Sequence, residues 1–371
     1  MKKLTIHIIS RVIHPVQSPR SFRTIELANE LARQGHDVTV YAVLGNYDYS
    51  DYEKETGVTV KNIGKMIFAT KNSDGKTRYN LLDKILFHSF NKLLDFPDSE
   101  LMFKINKVLK RTQNVDLLIT IAKPYTIHWG AALRKSFNYN NFPEFWIADC
   151  GDPYMGSAFT KHPFYFKYIE KWFCRKADFL TIPIEEAKEG YYKEFHPKIR
   201  IIPQGFKFEK IEAPNMQKKN SVPTFIYAGN FIKDGRDPGS FLNFLSTLQV
   251  DFRFKIFTKS KSFVTPYLDK LGEKVELNDF IPRTELLQEM TQANFLVNFD
   301  NGTSKQSPSK LIDYAIVNKP VLNVNGSVYN NNHLVEFLNG NYRNQLIIKN
   351  IDQYKIENVA KNFLDLYYNN L

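Results

Sequence analysis

The segment SPSKLIDYAIVNKPVL, residues 307–322, combines the start of a helix, its end and the start of a strand. Ser307 is a good N-cap because its hydroxyl can accept a hydrogen bond from an amide of the first turn. Pro308 suits the first helical position, where no N–H donor is needed. Apolar residues then recur at helical spacing until Pro320 blocks the helix. The helix therefore presents unpaired amides and the positive end of its dipole at residues 307–310.

Two charged side chains close to that helix start suggest a ligand. Lys310 would add a positive charge to an anion site, and Asp313, on the same face, could accept hydrogen bonds from a vicinal diol such as ribose. First-turn carboxylates and exposed lysines are also common in helices that bind nothing. This stretch alone leaves a phosphate-and-ribose site and an ordinary helix start equally open.

The bulk properties narrow the class of protein. A chain of 371 residues exceeds one ordinary core, and 43% hydrophobic with 24% charged residues is typical of a soluble globular protein. We find no apolar run long enough to span a membrane and no signal-peptide pattern. The two cysteines, Cys150 and Cys174, have neither metal-binding nor redox spacing, so we expect a reducing, cytoplasmic location.

The net charge of +11 requires an anionic partner to be considered. The chain contains no nucleic-acid-binding motif and no dense lysine and arginine block, so a nucleic acid is not expected. Lysines are instead spread among aromatic residues, which favours phosphate ligands or a membrane surface. Residues 71–112 carry basic residues with leucines on one face. They are interpreted either as a segment that approaches a membrane peripherally or as helices that cover a sheet.

Strand and helix patterns alternate along the chain in two successive series. The first series begins with a strand, a polar loop and a helix within residues 4–33, and includes a strand-then-helix pattern at residues 177–195. The second series begins at residues 224–231, TFIYAGNF. A polar, proline-bearing segment near residues 204–221 joins the two series as a linker. Such alternation predicts parallel sheets covered by helices.

The predicted fold class is therefore α/β, with two Rossmann-like doubly wound domains that face each other across a cleft. Residues 1–205 are expected to form the N-terminal domain, and residues 206–352 the C-terminal domain. A C-terminal helix within residues 353–371 is expected to pack back on the N-terminal domain. In this arrangement the helix at residue 307 follows a strand and lies where a ligand is expected.

Several segments, in this order along the chain, resemble the retaining glycosyltransferases of GT-B architecture, specifically family 4. They are SPRSFRTIELANELARQGHDVTVYA, PEFWIADCGDPY, IRIIPQGFKFE, KVELNDFIPRTELLQEMTQANFLVNF and SPSKLIDYAIVNKPVL. The resemblance implies a hexosyltransferase that moves a sugar from a nucleotide sugar to a glycan or polyprenyl-linked acceptor with retention. It points to the branch that assembles bacterial cell-surface polysaccharide, such as capsule or lipopolysaccharide. It also implies that the N-terminal domain holds the acceptor and the C-terminal domain the nucleotide sugar.

The resemblance assigns donor-binding roles to the C-terminal domain. Lys310, together with the amides of Ser307 and Ser309, would bind the diphosphate. Asp313 takes the place of a glutamate that holds the ribose hydroxyls. The backbone near Phe280 and Ile281 would contact the nucleobase.

Two departures from the family pattern lie in the donor site. Asn230, after Gly229, stands where many members have a diphosphate-binding arginine, and Gly235 stands where a lysine follows. Lys233 or Arg236 could substitute from the same loop. Lys305 replaces a glutamate that contacts the sugar hydroxyls. Lys305 would suit an anionic or otherwise altered donor sugar, or it points to solvent.

In the N-terminal domain the resemblance assigns His128 to the donor sugar and Asp152 to the acceptor side, with Lys310 completing the catalytic set. From the residues alone, His128 is as readily a packed helix histidine and Asp152 a turn residue. Gly151 replaces an arginine that is usual in this segment.

Basic residues near the first helix could face the acceptor. Arg11, Arg20 and Arg23 are interpreted either as ligands of an acceptor phosphate or as solvated surface charges. We find no paired acidic motif at a strand end, so neither a metal nor another cofactor is expected. A sugar-nucleotide epimerase and a catalytically silent sugar-nucleotide-binding scaffold remain alternative functions.

Overall fold

The computed structural model of the chain describes most of its residues. They are 2–16, 18–67, 90–91, 93–137, 142–157, 160–208, 220–233, 235–300, 310–325, 331–348 and 350–370. The chain divides into two compact units. The first comprises Met1–Lys207 together with Gln353–Leu371, and the second comprises Phe208–Asp352.

The first unit is built on a seven-stranded parallel sheet with the strand order β3-β2-β1-β4-β5-β6-β7. Its strands are β1 (Thr5–Ile9), β2 (Asp37–Ala42), β3 (Thr59–Asn62), β4 (Leu117–Ile121), β5 (Phe145–Asp149), β6 (Phe179–Ile182) and β7 (Ile199–Ile201). Every residue of the central strands β4 and β5 is buried. Such strands need cover on both faces, and this explains why their sequences are apolar without alternation.

Helices form crossover connections between these parallel strands, as in other doubly wound sheets. They are α1 (Pro19–Arg33), α2 (Ser50–Thr56), α3 (Ser99–Leu109), α4 (Thr126–Phe137) and α5 (Phe166–Lys176). Helix α1 begins where local physics favours it, because the Ser18 hydroxyl accepts a hydrogen bond from the Ser21 amide and Pro19 occupies the first turn.

The helix predicted within residues 177–195 is wrong. After β6 the chain forms two short 3-10 turns, Glu185–Gly190 and Lys193–Lys198. A Cβ placed on Gly190 would lie 2.3 Å from Cγ of Pro153, so the backbone is pressed against the loop after β5. The Gly190 backbone therefore packs closely against the loop that carries Asp152.

The second unit is built on a five-stranded parallel sheet with the order β10-β9-β8-β11-β12. Its strands are β8 (Thr224–Ala228), β9 (Arg253–Phe257), β10 (Val275–Asn278), β11 (Phe295–Phe299) and β12 (Val321–Val324). Its helices are α6 (Gly239–Thr247), α7 (Leu268–Leu271), α8 (Arg283–Gln292), α9 (Lys310–Val317) and α10 (Asn331–Leu338). Stacked rings fill its core, with Phe225 centred 4.6 Å from Phe254 and 4.7 Å from Phe295.

The last helix, α11 (Ile356–Tyr368), belongs to the first unit. Val359, Phe363 and Tyr367 on its apolar face are buried in the same cluster as strands β1 and β4. The Tyr367 hydroxyl also donates a hydrogen bond to Glu144, 3.2 Å away. The chain therefore leaves the first unit, forms the second and returns.

The predicted α/β class with two doubly wound parallel sheets is confirmed. Within the described part of the chain, no helix combines the length and apolarity that crossing a membrane requires. In each sheet the strand order reverses once, between β1 and β4 in the first unit and between β8 and β11 in the second. Ligands of parallel α/β sheets bind at the carboxyl ends of the strands beside such a reversal, so these two edges are where a site is expected.

Candidate functional site

At the reversal in the second unit, the loop after β8 carries Gly229 and Asn230. Gly229 has φ of +147°, a conformation that glycine tolerates, and its amide donates to the Phe257 carbonyl at 3.0 Å. The Asn230 side-chain oxygen accepts from the Lys259 amide at 3.2 Å. Asn230 thus ties the loops after β8 and β9 together, and its amide nitrogen is the group left to face a ligand.

The two candidate substitutes for the diphosphate clamp lie differently in this loop. Lys233 is exposed. Arg236 is half-buried and its guanidinium hydrogen-bonds to the Tyr227 hydroxyl, whose pKa is raised to about 12, mainly by burial. The Arg236 carbonyl accepts from the Ile232 amide at 3.2 Å, which closes the loop on itself. Lys233 is the freer of the two to follow a ligand.

Helix α9 starts at Lys310 in the loop that follows β11, so its first turn belongs to the same edge as Gly229. The Lys310 side chain and the residues Lys305, Ser307 and Ser309 lie outside the described part of the structure. Their assignment to the diphosphate and the sugar stays a prediction.

Asp313 does not stand alone in that first turn. Arg283, the first residue of α8, approaches its Oδ1 with Nε at 2.8 Å and Nη2 at 2.7 Å. Burial raises the pKa of Asp313, and the charge of Arg283 opposes that shift. Both guanidinium contacts converge on Oδ1, and among the described residues Oδ2 has no hydrogen-bond partner. A carboxylate fixed in this way can still accept from a diol through Oδ2.

The candidate base-binding segment follows β10. Phe280 is exposed, and the Lys259 ammonium lies 5.2 Å from its ring centroid. Ile281 packs against the core cluster that contains Ile226 and Leu296. The Ile281 side chain is therefore used structurally, and only its backbone is open to a nucleobase.

In the first unit, the structure contradicts the role predicted for Arg23. Its guanidinium binds Asp149 bidentately, with Nε 2.5 Å from Oδ2 and Nη2 2.7 Å from Oδ1. It also donates to the carbonyls of Ile202 and Pro203. Side-chain exposure is 3% for Arg23 and 1% for Asp149. Arg23 therefore forms a structural ion pair with Asp149 at the end of β5. Its guanidinium is used inside the protein and is not directed at an acceptor phosphate.

The other two arginines differ from Arg23. Arg11 is half-buried and pairs with Asp98, with Nη1 2.5 Å from Oδ1. Arg20 is half-buried in the first turn of α1, and its guanidinium lies directly over Gly151. A side chain at position 151 would begin in the space that Arg20 fills. The segment that the family resemblance identified usually has an arginine where this chain has Gly151. Here the guanidinium of Arg20, from α1, occupies the space beside that position.

His128 is fully buried and belongs to a chain of hydrogen bonds with Thr120 and Trp146. The Trp146 indole donates to the Thr120 hydroxyl at 2.8 Å, and that hydroxyl lies 2.8 Å from His128 Nδ1. A hydroxyl has one donor and two acceptor sites, so the Thr120 hydroxyl can either donate to Nδ1 or accept from it; the first arrangement places the His128 proton on Nε2. Burial, and to a smaller extent the charge of Arg20, lowers the pKa of His128 to about 3, although the charge of Asp149 acts in the opposite direction. His128 is therefore uncharged at neutral pH.

The Nε2 atom of His128 is buried and has no hydrogen-bond partner within the described residues. Such a buried polar atom is costly to leave unpaired in a folded protein, and the exceptions often serve function. His128 is the third residue of α4, the helix that follows β4, so it lies near the strand reversal of the first unit.

Asp152 lies in the loop after β5 with its side chain 35% exposed, 3.7 Å from the ammonium of Lys123. Its carbonyl accepts from the Tyr125 hydroxyl at 2.5 Å, and that hydroxyl is 3.0 Å from the hydroxyl of Tyr191. The Tyr125 hydroxyl therefore holds the backbone of the loop after β5, and the Asp152 carboxylate remains partly exposed.

Sequence reasoning missed four residues that organise these edges. They are Arg283, which holds Asp313; Asp149, which holds Arg23; Thr120, which orients His128; and Lys123, which pairs with Asp152. A buried carboxylate at the end of the apolar strand FWIAD was a usable signal, because an unpaired charge there would be unstable. No local sequence pattern indicates the roles of Arg283, Thr120 and Lys123.

Comparison with solved structures finds the same architecture in proteins of very different sequence. A glycosyltransferase from Rickettsia africae is 14% identical, with a TM-score of 0.59 over 100% of this chain and 94% of the other. The lipopolysaccharide outer core galactosyltransferase WaaB is 11% identical, with a TM-score of 0.61 over 99% of this chain and 100% of the other. A UDP-GlcNAc 2-epimerase from Neisseria meningitidis, solved with UDP-GlcNAc, is 13% identical, with a TM-score of 0.58 over 100% of both chains.

No protein family model matches this chain, and no curated protein matches its sequence. At these identities the likeness establishes the fold, which is the two-sheet GT-B architecture. Transferases and an epimerase share it, so the reaction has to be argued from the side chains.

Proposed function

We propose that this protein is a nucleotide-sugar-dependent hexosyltransferase that transfers its sugar with retention to a glycan or polyprenyl-linked acceptor, without a metal. The observation that carries the proposal is the grouping at the β8–β11 reversal. There Gly229, Asn230 and the start of helix α9 meet at one edge, with the Asp313 carboxylate held one turn into that helix. An anion site beside a ribose-binding carboxylate suits a nucleoside diphosphate.

In this proposal the second unit stabilises the leaving group. Glycosyl transfer passes through an oxocarbenium-like transition state while negative charge grows on the departing diphosphate. In this proposal the amides at the start of α9, with Lys310 and Lys233, would donate to that charge. Removing one such donor typically costs about 2.7–4 kcal/mol of the barrier, which is about a hundredfold to a thousandfold in turnover.

The first unit contributes two groups. We assign His128 a positioning role, because its Nε2 atom is buried and its low pKa makes it a poor base for the acceptor. Asp152 is the partly exposed carboxylate at the same edge, and we assign it to the acceptor side. A mechanism with retention and no enzymatic base suits this pair, because the departing diphosphate oxygen can itself take the acceptor proton.

We place the protein on the cytoplasmic face of a membrane in a pathway of cell-surface polysaccharide assembly. The support is a group of exposed apolar side chains in the described part of residues 71–112. These are Phe90, Leu93, Leu94 and Phe103. Their setting in a chain of net charge +11 suits an anionic leaflet. Residues 71–89 of that segment lie outside the described part of the structure.

Ligand-induced stabilisation tests the donor site. Melting curves would be recorded with a panel of nucleoside diphosphates and their sugars for wild type, Lys310→Ala and Lys270→Ala. Lys270 is an exposed residue of α7 and serves as the matched control. A ligand present at a hundred times its Kd stabilises the fold by about 2.7 kcal/mol. The proposal requires one nucleotide sugar to stabilise wild type and Lys270→Ala but not Lys310→Ala.

Turnover separates the alternatives. The fold is matched comparably well by the Neisseria epimerase, so conversion of the nucleotide sugar without any acceptor would identify an epimerase. Binding without turnover, across lipid-linked and glycan acceptors, would identify a scaffold. Transfer that persists in EDTA and yields a product with the donor's anomeric configuration would support a metal-independent, retaining transferase.

A further inference from the structure

The guanidinium of Arg20 is seated in a notch that a glycine creates. Gly151 has φ of +67°, and a Cβ built on it would lie 2.0 Å from Nη2 and 2.5 Å from Cζ of Arg20. No other residue at position 151 leaves this space open. The side chain from the first turn of α1 is therefore held against the backbone that follows β5.

Arg20 differs from Arg11 and Arg23 in the hydrogen bonds and ion pairs that its guanidinium makes. The Arg23 donors bind Asp149 and two carbonyls, and Arg11 pairs with Asp98. Among the described residues, no hydrogen bond or ion pair engages the Arg20 guanidinium, although the side chain is half-buried. An arginine has five N–H donors and no acceptor, so the Arg20 guanidinium keeps donors that an anionic ligand or water can accept from.

Two carboxylates lie at this edge, and each has a cationic partner. Asp149 pairs directly with Arg23, although the charge of Arg20 also acts on it, and Asp152 lies 3.7 Å from Lys123. His128 is uncharged at neutral pH. Together with Arg20, these groups therefore sum to a positive charge.

We propose that Arg20, held in the notch at Gly151, binds a phosphate or diphosphate group of the acceptor. The planar guanidinium fork matches phosphate oxygens, and the first turn of the capped helix α1 adds the positive end of its dipole. Phosphate binding is inferred from the geometry of Arg20. The assignment of that phosphate to the acceptor rests on the proposed transferase function. The two sources of this chemistry are a lipid-linked diphosphate and a phosphorylated soluble acceptor.

Arginine-selective labelling of the wild-type protein tests the site directly. Phenylglyoxal modification would be followed at each arginine by peptide mass spectrometry, in a buffer free of phosphate and borate. The additions are inorganic phosphate, geranyl diphosphate and uncharged geraniol. Arg343 is the internal control because it is exposed and no ion pair is found for it in the described structure. Buried Arg23 reports on unfolding.

We expect phosphate anions to slow labelling of Arg20 saturably, by about tenfold or more, while Arg343 is unaffected and Arg23 stays unlabelled. Protection by inorganic phosphate at the same concentration as geranyl diphosphate would indicate a phosphorylated soluble acceptor. Protection by geranyl diphosphate at much lower concentration, with none from geraniol, would indicate a lipid-linked one. Equal labelling of Arg20 with and without every anion, or equal protection of Arg343, would overturn the proposal.

A matched pair of variants links the site to turnover. Arg20→Gln and Arg343→Gln change the net charge equally, and only Arg20→Gln should raise the acceptor KM, by about tenfold to a hundredfold, with the donor KM unchanged. An unchanged acceptor KM would also contradict the proposal. If the wild type transfers no sugar, the proposed function fails, but the labelling result still decides whether Arg20 binds phosphate.

Discussion

Replacing Arg23 by methionine should destabilise the first unit strongly, because it leaves the Asp149 carboxylate buried without its partner. Both side chains are almost fully inaccessible, and the guanidinium makes two contacts with the carboxylate. Breaking a buried pair by removing one partner costs about 3–5 kcal/mol. This is a large part of the 5–15 kcal/mol that stabilises a typical domain.

A double-mutant cycle separates the loss of stability in Arg23→Met into the cost of the unpaired charge and the cost of the lost hydrogen bonds. Arg23→Met also removes the hydrogen bonds to the carbonyls of Ile202 and Pro203, at about 1 kcal/mol each. Adding Asp149→Asn removes the uncompensated charge, and its amide oxygen still accepts from the Thr181 hydroxyl. The double variant should therefore recover all but about 2 kcal/mol, and be more stable than Arg23→Met alone.

Urea unfolding of the wild type, both single variants and the double variant measures these differences. A loss below 1 kcal/mol in Arg23→Met, or no coupling between the two positions, would refute the reasoning. The pH dependence gives a second check. Burial alone raises the pKa of Asp149, but Arg23, Arg20 and Thr181 together lower it below its ordinary value. The stability due to the pair is thus complete above about pH 4 and is lost as the pH falls through the folded-state pKa.

Three further outcomes are expected. If the Thr120 hydroxyl donates to His128 Nδ1, long-range ¹⁵N spectra should show a pure Nε2–H form in the wild type that Thr120→Val loses; an Nδ1–H form in the wild type or an unchanged spectrum in the variant would contradict that arrangement. Burial raises the pKa of Glu170 to about 7, so wild type should lose stability between about pH 4.5 and 7, where Glu170→Gln should not, with a difference of about 3 kcal/mol at pH 8; parallel pH profiles would exclude this. Lys310→Ala should lower kcat about a hundredfold to a thousandfold in a transfer assay, and a smaller effect would remove Lys310 from the diphosphate site.

The sequence was sufficient for the fold class because its signals are local. Apolar runs such as LLITI and FWIAD indicate strands buried on both faces, and helical spacing indicates their crossovers. Where the local pattern failed, at residues 177–195, the chain forms short 3-10 turns in place of the predicted helix. Gly190 in the first of them packs closely against Pro153 from another loop, and no local pattern indicates that contact.

The candidate site was only partly visible in the sequence. The segment at residue 307 indicated an anion site, and a family resemblance indicated His128 and Asp152. Neither source distinguished Arg20 from Arg23, which lie on the same helix three residues apart. Residues three apart on a helix lie next to each other on one face, so helical spacing alone cannot show that Arg23 is buried while Arg20 is only half-buried.

The sequence by itself determined the two series of strands and helices and the chemistry available at the ends of the strands. The tertiary structure alone decided which charges are consumed and which remain. Arg23 and Asp149 are 126 positions apart, and Asp313 lies 30 positions from Arg283. The sheet order β1-β4-β5 brings such distant loops to one edge, where burial forces charges to pair. That pairing is a property of the whole fold, because no local pattern in the sequence identifies the partner of either charge.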